Sequence, residues 1–397
     1  MVGIRCVWGD RSRLGVRRTA AIAPSVDPDQ RHESCSILRL WTTLGEFGAR
    51  ERQPLGFIIG HKLVLMTLGI LAPLIFGFQD PWKFDWVTTN SKSYLFIANH
   101  GYSSDEALYA FYPAWPLVIR GVSGVLGHPE WTAYLLANLF STVGLFLFHR
   151  IAVRVHGETV AWNALRLMVL FPGSMFFFVP YTESMFLMLL MILWYARIRE
   201  QWAWVAVAGF LLPMIRPVGL LIAPVFIAEI ITSRGGWRAL WMLLAPGLGF
   251  VTYLGSMATL SGNPWVGFEA QRFYPAYPSI AKIGDVAGFL KAFASVQPVH
   301  DFLHSPLDRC VFVAFCCSGV WIFRLGLTQY VYAVFLGLVP ALSNSLMSYT
   351  RFTCLVFPLF LVWSQRLRGA VLDAVLLLFF GVQVLLYLAH LSNHWAG

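Results

Sequence analysis

The sequence is poor in charge. Only 12% of its 397 residues are Asp, Glu, Lys or Arg, against roughly 25% in soluble domains. That excludes a large soluble fold. With 57% hydrophobic residues, 16 Trp and 32 Phe and a mean hydropathy of +0.64, the composition is that of a membrane protein. Cysteine is also sparse. The six present have no metal-ligand spacing, so neither a zinc module nor a disulfide framework can be read from them. Cys310, Cys316, Cys317 and Cys354 fall in apolar segments and read as small core residues. No glycine-rich nucleotide loop occurs. No apolar h-region of about 7–15 residues lies beside Arg5, Arg11, Arg13, Arg17 and Arg18, so a secretory signal peptide is not expected. Residues 1–52, with nine Arg and six acids, are expected to be a disordered cytoplasmic tail or the product of an upstream start codon. Residues 53–397 are expected to form one membrane-embedded domain.

What is present is a series of apolar runs. They fall at about 56–78, 131–149, 158–179, 183–198, 202–232, 237–260, 309–323, 327–343, 352–364 and 370–389. A spanning helix needs about 20 apolar residues. The pattern predicts an all-α polytopic bundle with about 10–11 membrane helices. The runs at 309–323 and 352–364 are short and read as tilted or buried. Run 202–232 is too long for one straight crossing and holds Pro213, Arg216, Pro217 and Gly219. It reads as two helices meeting at Arg216-Pro217, because Pro ends or kinks a helix and Arg is costly in hydrocarbon. Gly247 and Gly249 read as helix-packing residues.

The formal charge of +9 does not indicate nucleic acid. The basic residues flank apolar runs instead of forming a patch, as orientation in a membrane requires. With the N-terminus inside, Arg150, Arg154, Arg197, Arg199, Arg234, Arg238, Arg324, Arg366 and Arg368 all fall inside. Most acids fall outside, among them Asp80, Asp85, Asp105, Glu106, Glu183, Glu269, Asp301 and Asp308. Two long loops, 79–130 and 261–308, face outside and are rich in aromatic residues, which argues for function over disorder. The stretch 110–126 reads as an amphipathic interfacial helix with Tyr112 and Trp115 at headgroup level.

Four polar clusters meet this outer face: residues 85–116, Pro180-Tyr181-Thr182-Glu183-Ser184, Arg216, and Ser345 to Arg351. Acids can serve as a general base on a hydroxyl. Arginines can hold a phosphate leaving group as charge develops on it. Aromatic rings can stack on sugars. Each also has a plain structural reading, with Thr182 and Glu183 as a helix start and the arginines snorkelling to headgroups. Taken together, the clusters suit glycosyl transfer from a polyprenyl-phosphate sugar, a lipid-linked donor that needs no nucleotide loop.

The spacing Ile97-Ala98-x-x-Gly101-Tyr102, followed by Phe111-Tyr112-Pro113 and Pro116-Leu117, resembles the PIG-V-type mannosyltransferases, as does Pro180-Tyr181-Thr182-Glu183-Ser184-Met185-Phe186. Asn263-Pro264 with Glu269-Ala270-Gln271 is similar to a loop in bacterial relatives, and Ser348-Tyr349-Thr350-Arg351 with Phe357-Pro358 to a late element of the family. The resemblance spans about residues 60–365. It implies a GT-C-type integral membrane enzyme that takes mannose or a related hexose from dolichyl- or polyprenyl-phosphate. It also implies substrate contacts by Tyr102, Glu183, Arg216, Gln271 and Arg351, with Arg216 and Arg351 on the donor phosphate. Glu183 would orient the acceptor or help position a divalent cation; no dedicated metal site is expected. The expected setting is a bacterial inner membrane, with the endoplasmic reticulum membrane as the alternative.

In one place the sequence departs from the family. Where the family has Trp-Asp, this chain has Thr89-Asn90, and Asn cannot act as a base. Either an insertion brings in Asp85, from Phe84-Asp85-Trp86, or Asp105, Glu106 or Glu183 serves, or the protein is an inactive membrane subunit. A transporter or flippase of lipid-linked substrates also fits the broken helix at Arg216, but no repeat relates the two halves. With Asp85 as base, Asp85→Ala and Asp85→Asn are expected to lose sugar transfer in a membrane assay, at least about a hundredfold. Full transfer by either variant would remove Asp85 from the role.

Overall fold

The computed structural model describes residues 49–76, 88, 90–102, 105–233, 238–274, 278–297, 304–343 and 345–392. The N-terminal stretch 1–48, Asp80, Asp85, Thr89, His300 and Asp301 lie outside these residues. Among the described residues all regular structure is helical. Five helices are long and apolar enough to cross a membrane, and the chain is a multi-pass helical bundle. They are α1 (Ala49–Phe76), α4 (Pro129–His156), α9 (Arg238–Ser261), α12 (Pro306–Leu325) and α17 (Gly369–Leu391).

Shorter helices complete it. The stretch between α1 and α4 carries α2 (Asn90–His100) and α3 (Ala114–Leu126). The middle carries α5 (Glu158–Leu170), α6 (Thr182–Ile198), α7 (Trp202–Ile215), α8 (Ile222–Ser233) and α10 (Val266–Glu269). Later come α11 (Val286–Ala294), α13 (Leu327–Ala333), α14 (Val339–Ser343), α15 (Tyr349–Thr353) and α16 (Phe357–Arg366).

Helix α6 lies at the centre, with Leu187, Leu190, Met191 and Leu193 fully buried and with α4 and α7 packed against it. Leu135 and Leu139 of α4 and Leu377 and Leu378 of α17 stay exposed, as lipid-facing residues of a spanning helix do. Helices α7 and α9 cross closely at Gly249, where a Cβ would stand 1.9 Å from the Phe210 carbonyl oxygen. Gly247 has open space around it, so the packing role falls to Gly249 alone. At the end the charge pattern assigns to the inside, Arg197 of α6 pairs with Glu229 of α8, which also accepts from Thr328 Oγ1 of α13 at 3.1 Å.

The break at Arg216 is as the sequence suggests. Helix α7 ends at Ile215, Arg216 is extended (φ −153°, ψ 148°), and a 3-10 turn (Pro217–Leu221) leads into α8. Other expectations are corrected. The run 158–179 is not one helix. It stops at Leu170 and continues as a 3-10 turn, Pro172–Phe177. The run 309–323 is a full 20-residue helix. Ser305 caps it and Asp308 and Arg309 are buried in its first turn, and these polar residues shorten the hydropathy signal. Helix α3 is amphipathic in the sense opposite to the one expected. Trp115 is fully buried, its indole N–H donating to the Pro180 carbonyl at 3.4 Å, and Tyr112 stacks on Tyr253 at 4.2 Å. The exposed face is aliphatic, at Leu117, Val125 and Leu126.

Gly249→Ala is expected to destabilise the detergent-solubilised protein by about 1–3 kcal/mol, because overpacking a close crossing forces backbone shifts. Gly247→Ala should be neutral or slightly stabilising, since the helix gains propensity without a clash. Denaturant titration of the two variants checks both.

Candidate active site

Three elements converge on one carboxylate. Tyr181, extended at ψ 170°, leads into α6, and Glu183 sits in its first turn with no exposure at all. Its Oε1 accepts from Arg216 Nη1, presented by the break between α7 and α8. The same oxygen accepts from Arg351 Nε of α15 at 2.5 Å. Glu183 Oε2 accepts no hydrogen bond among the described residues.

Aromatic rings enclose the two guanidinium groups. Arg351 lies 4.6 Å from the Tyr181 ring centroid and 4.7 Å from that of Phe176. Arg216 lies 5.1 Å from that of Phe352. Tyr94 of α2 is buried within electrostatic reach of Glu183, Arg216 and Arg351, and burial pushes its phenol above the usual value. Two cations face one anion, so the cluster carries one net positive charge. Each arginine has several N–H groups. Among the described residues each gives one to Glu183 and none to another acceptor.

The surrounding backbone is shaped to hold this arrangement. Thr350, next to Arg351, is anchored by buried Asp308, whose Oδ1 accepts from Thr350 N at 2.6 Å and Thr350 Oγ1 at 2.5 Å. Gly173 lets α15 approach the Pro172–Phe177 turn, where a Cβ would stand 2.1 Å from the Thr350 carbonyl oxygen. Just before α15, Ser345, Leu346 and Ser348 take positive φ angles of 52°, 66° and 56°. For non-glycine residues that conformation costs roughly 1–2 kcal/mol each. Thr88, three residues after Asp85, is fully buried and hydrogen-bonded to His390 Nε2 at 2.7 Å. The His390 ring lies 6.1 Å from Phe176 and 5.7 Å from Tyr181.

The broken α5 leaves carbonyl groups without helical partners, and side chains supply them. Gln383 Nε2 donates to Val169 and Phe171. Ser141 Oγ donates to Phe177 at 2.6 Å and Asn138 Nδ2 to Phe178 at 2.9 Å. Lys62, midway along α1, donates to Ser141 Oγ at 2.7 Å, Asn138 Oδ1 at 3.1 Å and the Phe177 carbonyl at 3.3 Å. Backbone at membrane depth needs such partners.

The other residues singled out in the sequence are elsewhere. Tyr102 donates to the Phe111 carbonyl at 2.5 Å and stacks on Tyr109; burial raises its phenol well above the ordinary range. Gln271 Nε2 donates to the Ala110 carbonyl at 3.0 Å and so ties the segment after α9 to the one before α3. Asp105 caps the 3-10 turn Glu106–Ala110 by accepting from Ala107 N at 3.0 Å. Glu106 is exposed and meets Arg272 at 3.1 Å. The structure thus unites Glu183, Arg216 and Arg351 but not Tyr102, Gln271, Asp105 or Glu106 with them, and Asp85 lies outside the described residues. Sequence reasoning placed Asp308 among the outer-loop acids and passed over Lys62; an ionisable residue inside an apolar run is the signal for Lys62. Among the described residues no three His, Cys, Asp or Glu side chains gather as metal ligands.

Fold and site define a multi-pass helical membrane protein with a buried, net-positive carboxylate–guanidinium cluster where several helix ends meet. No family model matches the chain, and no curated protein matches it. Among solved structures, it is similar to the archaeal oligosaccharyltransferase AglB from Archaeoglobus fulgidus in complex with an inhibitory peptide and a dolichol-phosphate. The likeness has a TM-score of 0.45 at 11% identity and covers 85% of this chain and 55% of that one. The chain therefore spans about half the length of that protein.

Removing the anion from the cluster strands two cations in a dry site. Glu183→Gln is expected to destabilise the protein by about 3–5 kcal/mol, the cost of leaving a buried charge unpaired. Arg216→Gln leaves the Glu183–Arg351 pair intact and should cost clearly less. Unfolding titrations in detergent would compare the two, and equal losses would contradict this division.

Proposed function

We propose that the protein is a GT-C-type glycosyltransferase. It moves a hexose, most simply mannose, from a polyprenyl-phosphate donor to an acceptor at the outer face of a bacterial inner membrane. The observation that carries this reading is the shared Glu183 carboxylate. It fixes Arg216 and Arg351 in place while leaving their remaining N–H groups and one net positive charge for an anion. A phosphate is the anion that guanidinium geometry suits best.

In the reaction the acceptor hydroxyl oxygen attacks the anomeric carbon of the donor. Its proton passes to a carboxylate, assigned to Asp85. The bond from the anomeric carbon to the phosphate oxygen breaks, and that oxygen keeps the electron pair. Arg216 and Arg351 stabilise the charge developing there. Donors held in place before the reaction are the most effective kind, because they need not reorganise during it. Glu183 holds them. Thr88 is tethered beside Tyr181 and Phe176 through His390, and the base is assigned to Asp85, three residues earlier in the sequence.

The transporter reading requires polar groups along a route through the bundle. The polar side chains at mid-depth, Lys62, Asn138, Ser141 and Gln383, are instead engaged with backbone carbonyls and one another. The cavity beside Lys62 measures about 10 Å³, room for about one water.

Membranes incubated with labelled polyprenyl-phosphate mannose should yield a labelled acceptor. Arg216→Gln should raise the KM for the donor about 10- to 100-fold, matching the loss of roughly 1.5–3 kcal/mol from a charge-assisted hydrogen bond. An unchanged donor KM would remove the phosphate from Arg216, and absence of labelled product would overturn the transferase reading.

A further inference from the structure

A second cleft lies away from the arginine cluster. It measures about 300 Å³ and opens between the 3-10 turn Glu106–Ala110 and the segment that follows α9. Glu106, Tyr109, Ser261, Asn263, Glu269 and Arg272 line it. We propose that this cleft binds the acceptor and that the acceptor is a carbohydrate; the word acceptor here rests on the transferase reading above.

The cleft is built before any ligand arrives. Two ties hold its two sides together, Gln271 Nε2 to the Ala110 carbonyl at 3.0 Å and Tyr274 Oη to the Ala107 carbonyl at 3.2 Å, and the exposed Arg272–Glu106 pair lies across them at 3.1 Å. Asn263 Oδ1 accepts from Trp265 N at 2.9 Å, and its amide donates to Glu269 Oε2 at 2.9 Å. That chain fixes the plane of the Glu269 carboxylate. The tyrosine wall is stacked, Tyr109 on Tyr102 at 4.9 Å, and is buried against Tyr112 and Tyr253. A pocket held this way loses little freedom when it binds.

The chemistry of the lining selects the ligand class. Two carboxylates and one guanidinium leave a single net negative charge, so an anion is disfavoured. Apart from Val266 and Ala270 the wall offers hydroxyl, amide, guanidinium and carboxylate groups, so a lipid tail is disfavoured too. A neutral polyol fits: each hydroxyl both donates and accepts, and adjacent hydroxyls can span a carboxylate or a guanidinium fork. The volume is at the lower end of small-ligand sites, roughly 300–1,000 Å³. The Glu106–Arg272 pair is about 60% exposed on both sides. Such a pair contributes little stability and can exchange its partners for sugar hydroxyls. Met214 packs against the tyrosine cluster behind the cleft and lies two residues before Arg216 in the sequence.

The test uses the full chain in a detergent without a sugar headgroup. Methyl α-mannoside, methyl α-glucoside and maltose are titrated against intrinsic tryptophan fluorescence, with Trp265 beside the cleft. At least one should saturate with millimolar affinity, and Glu269→Gln and Arg272→Ala should each weaken it about tenfold or more. A diazirine derivative of the tightest binder should cross-link to peptides containing residues 105–110 or 261–272, a readout that needs no variant. Binding should persist in Asp85→Asn, so a failure of transfer chemistry is told apart from a failure of this site. The proposal is overturned if none of the three saccharides binds, if both variants bind unchanged, or if the cross-link maps elsewhere. It is also overturned if only Mg²⁺ or a basic peptide responds to the two substitutions.

Discussion

One carboxylate oxygen governs the architecture. Glu183 Oε1 takes hydrogen bonds from Arg216 and Arg351, which follow it by 33 and 168 residues in the sequence. In a dry interior a charge is tolerated only when it is paired and hydrogen-bonded, so the three residues must meet before any of them can be buried. That requirement explains the interruptions around them. Helix α7 stops at Ile215 so that Arg216 can turn toward the site. Helix α15 is kept short, and the polypeptide before it accepts three left-handed residues. Strain at such positions persists only where neighbouring contacts over-determine it, and the Asp308–Thr350 anchor is such a contact.

The interruptions have a cost of their own, because helix breaks expose backbone carbonyls. The bundle meets it with amides and hydroxyls from distant helices: Gln383 of α17, and Asn138 and Ser141 of α4. The region around Phe171–Phe178 is accordingly both aromatic and polar. Its rings enclose Arg351, while its carbonyls are capped from behind.

Much of the fold was legible in the sequence, for physical reasons. Apolar runs report spans because lipid demands them, and the paired prolines around Arg216 report the break because Pro cannot continue a helix. The acids and arginines of the site could each be picked out, since charge at the end of an apolar run is unusual. Their union could not. Glu183 and Arg351 are 168 residues apart, and a hydropathy window sees only neighbours. A charge-balance argument would have come closer, since one acid and two arginines at the same depth have few ways to be buried except together. Trp115 was misplaced for a related reason. An aromatic residue in a short amphipathic helix can face headgroups or protein, and only the Pro180 carbonyl decides between them. Gln271 ties one loop to another through the Ala110 carbonyl, a role no local pattern announces.

Lys62 bears on how the protein is made. Its hydrogen-bond partners are neutral, two side chains of α4 and one carbonyl of the turn after α5. All lie later in the sequence than Lys62. During synthesis the N-terminal part emerges first, so α1 reaches the bilayer carrying a cation whose partners do not yet exist, and a lysine at that depth is costly alone. Lys62 therefore weakens α1 as an independent anchor. The lysine is satisfied only when α4 and the turn after α5 are in place, so the first helix among the described residues is completed by later ones.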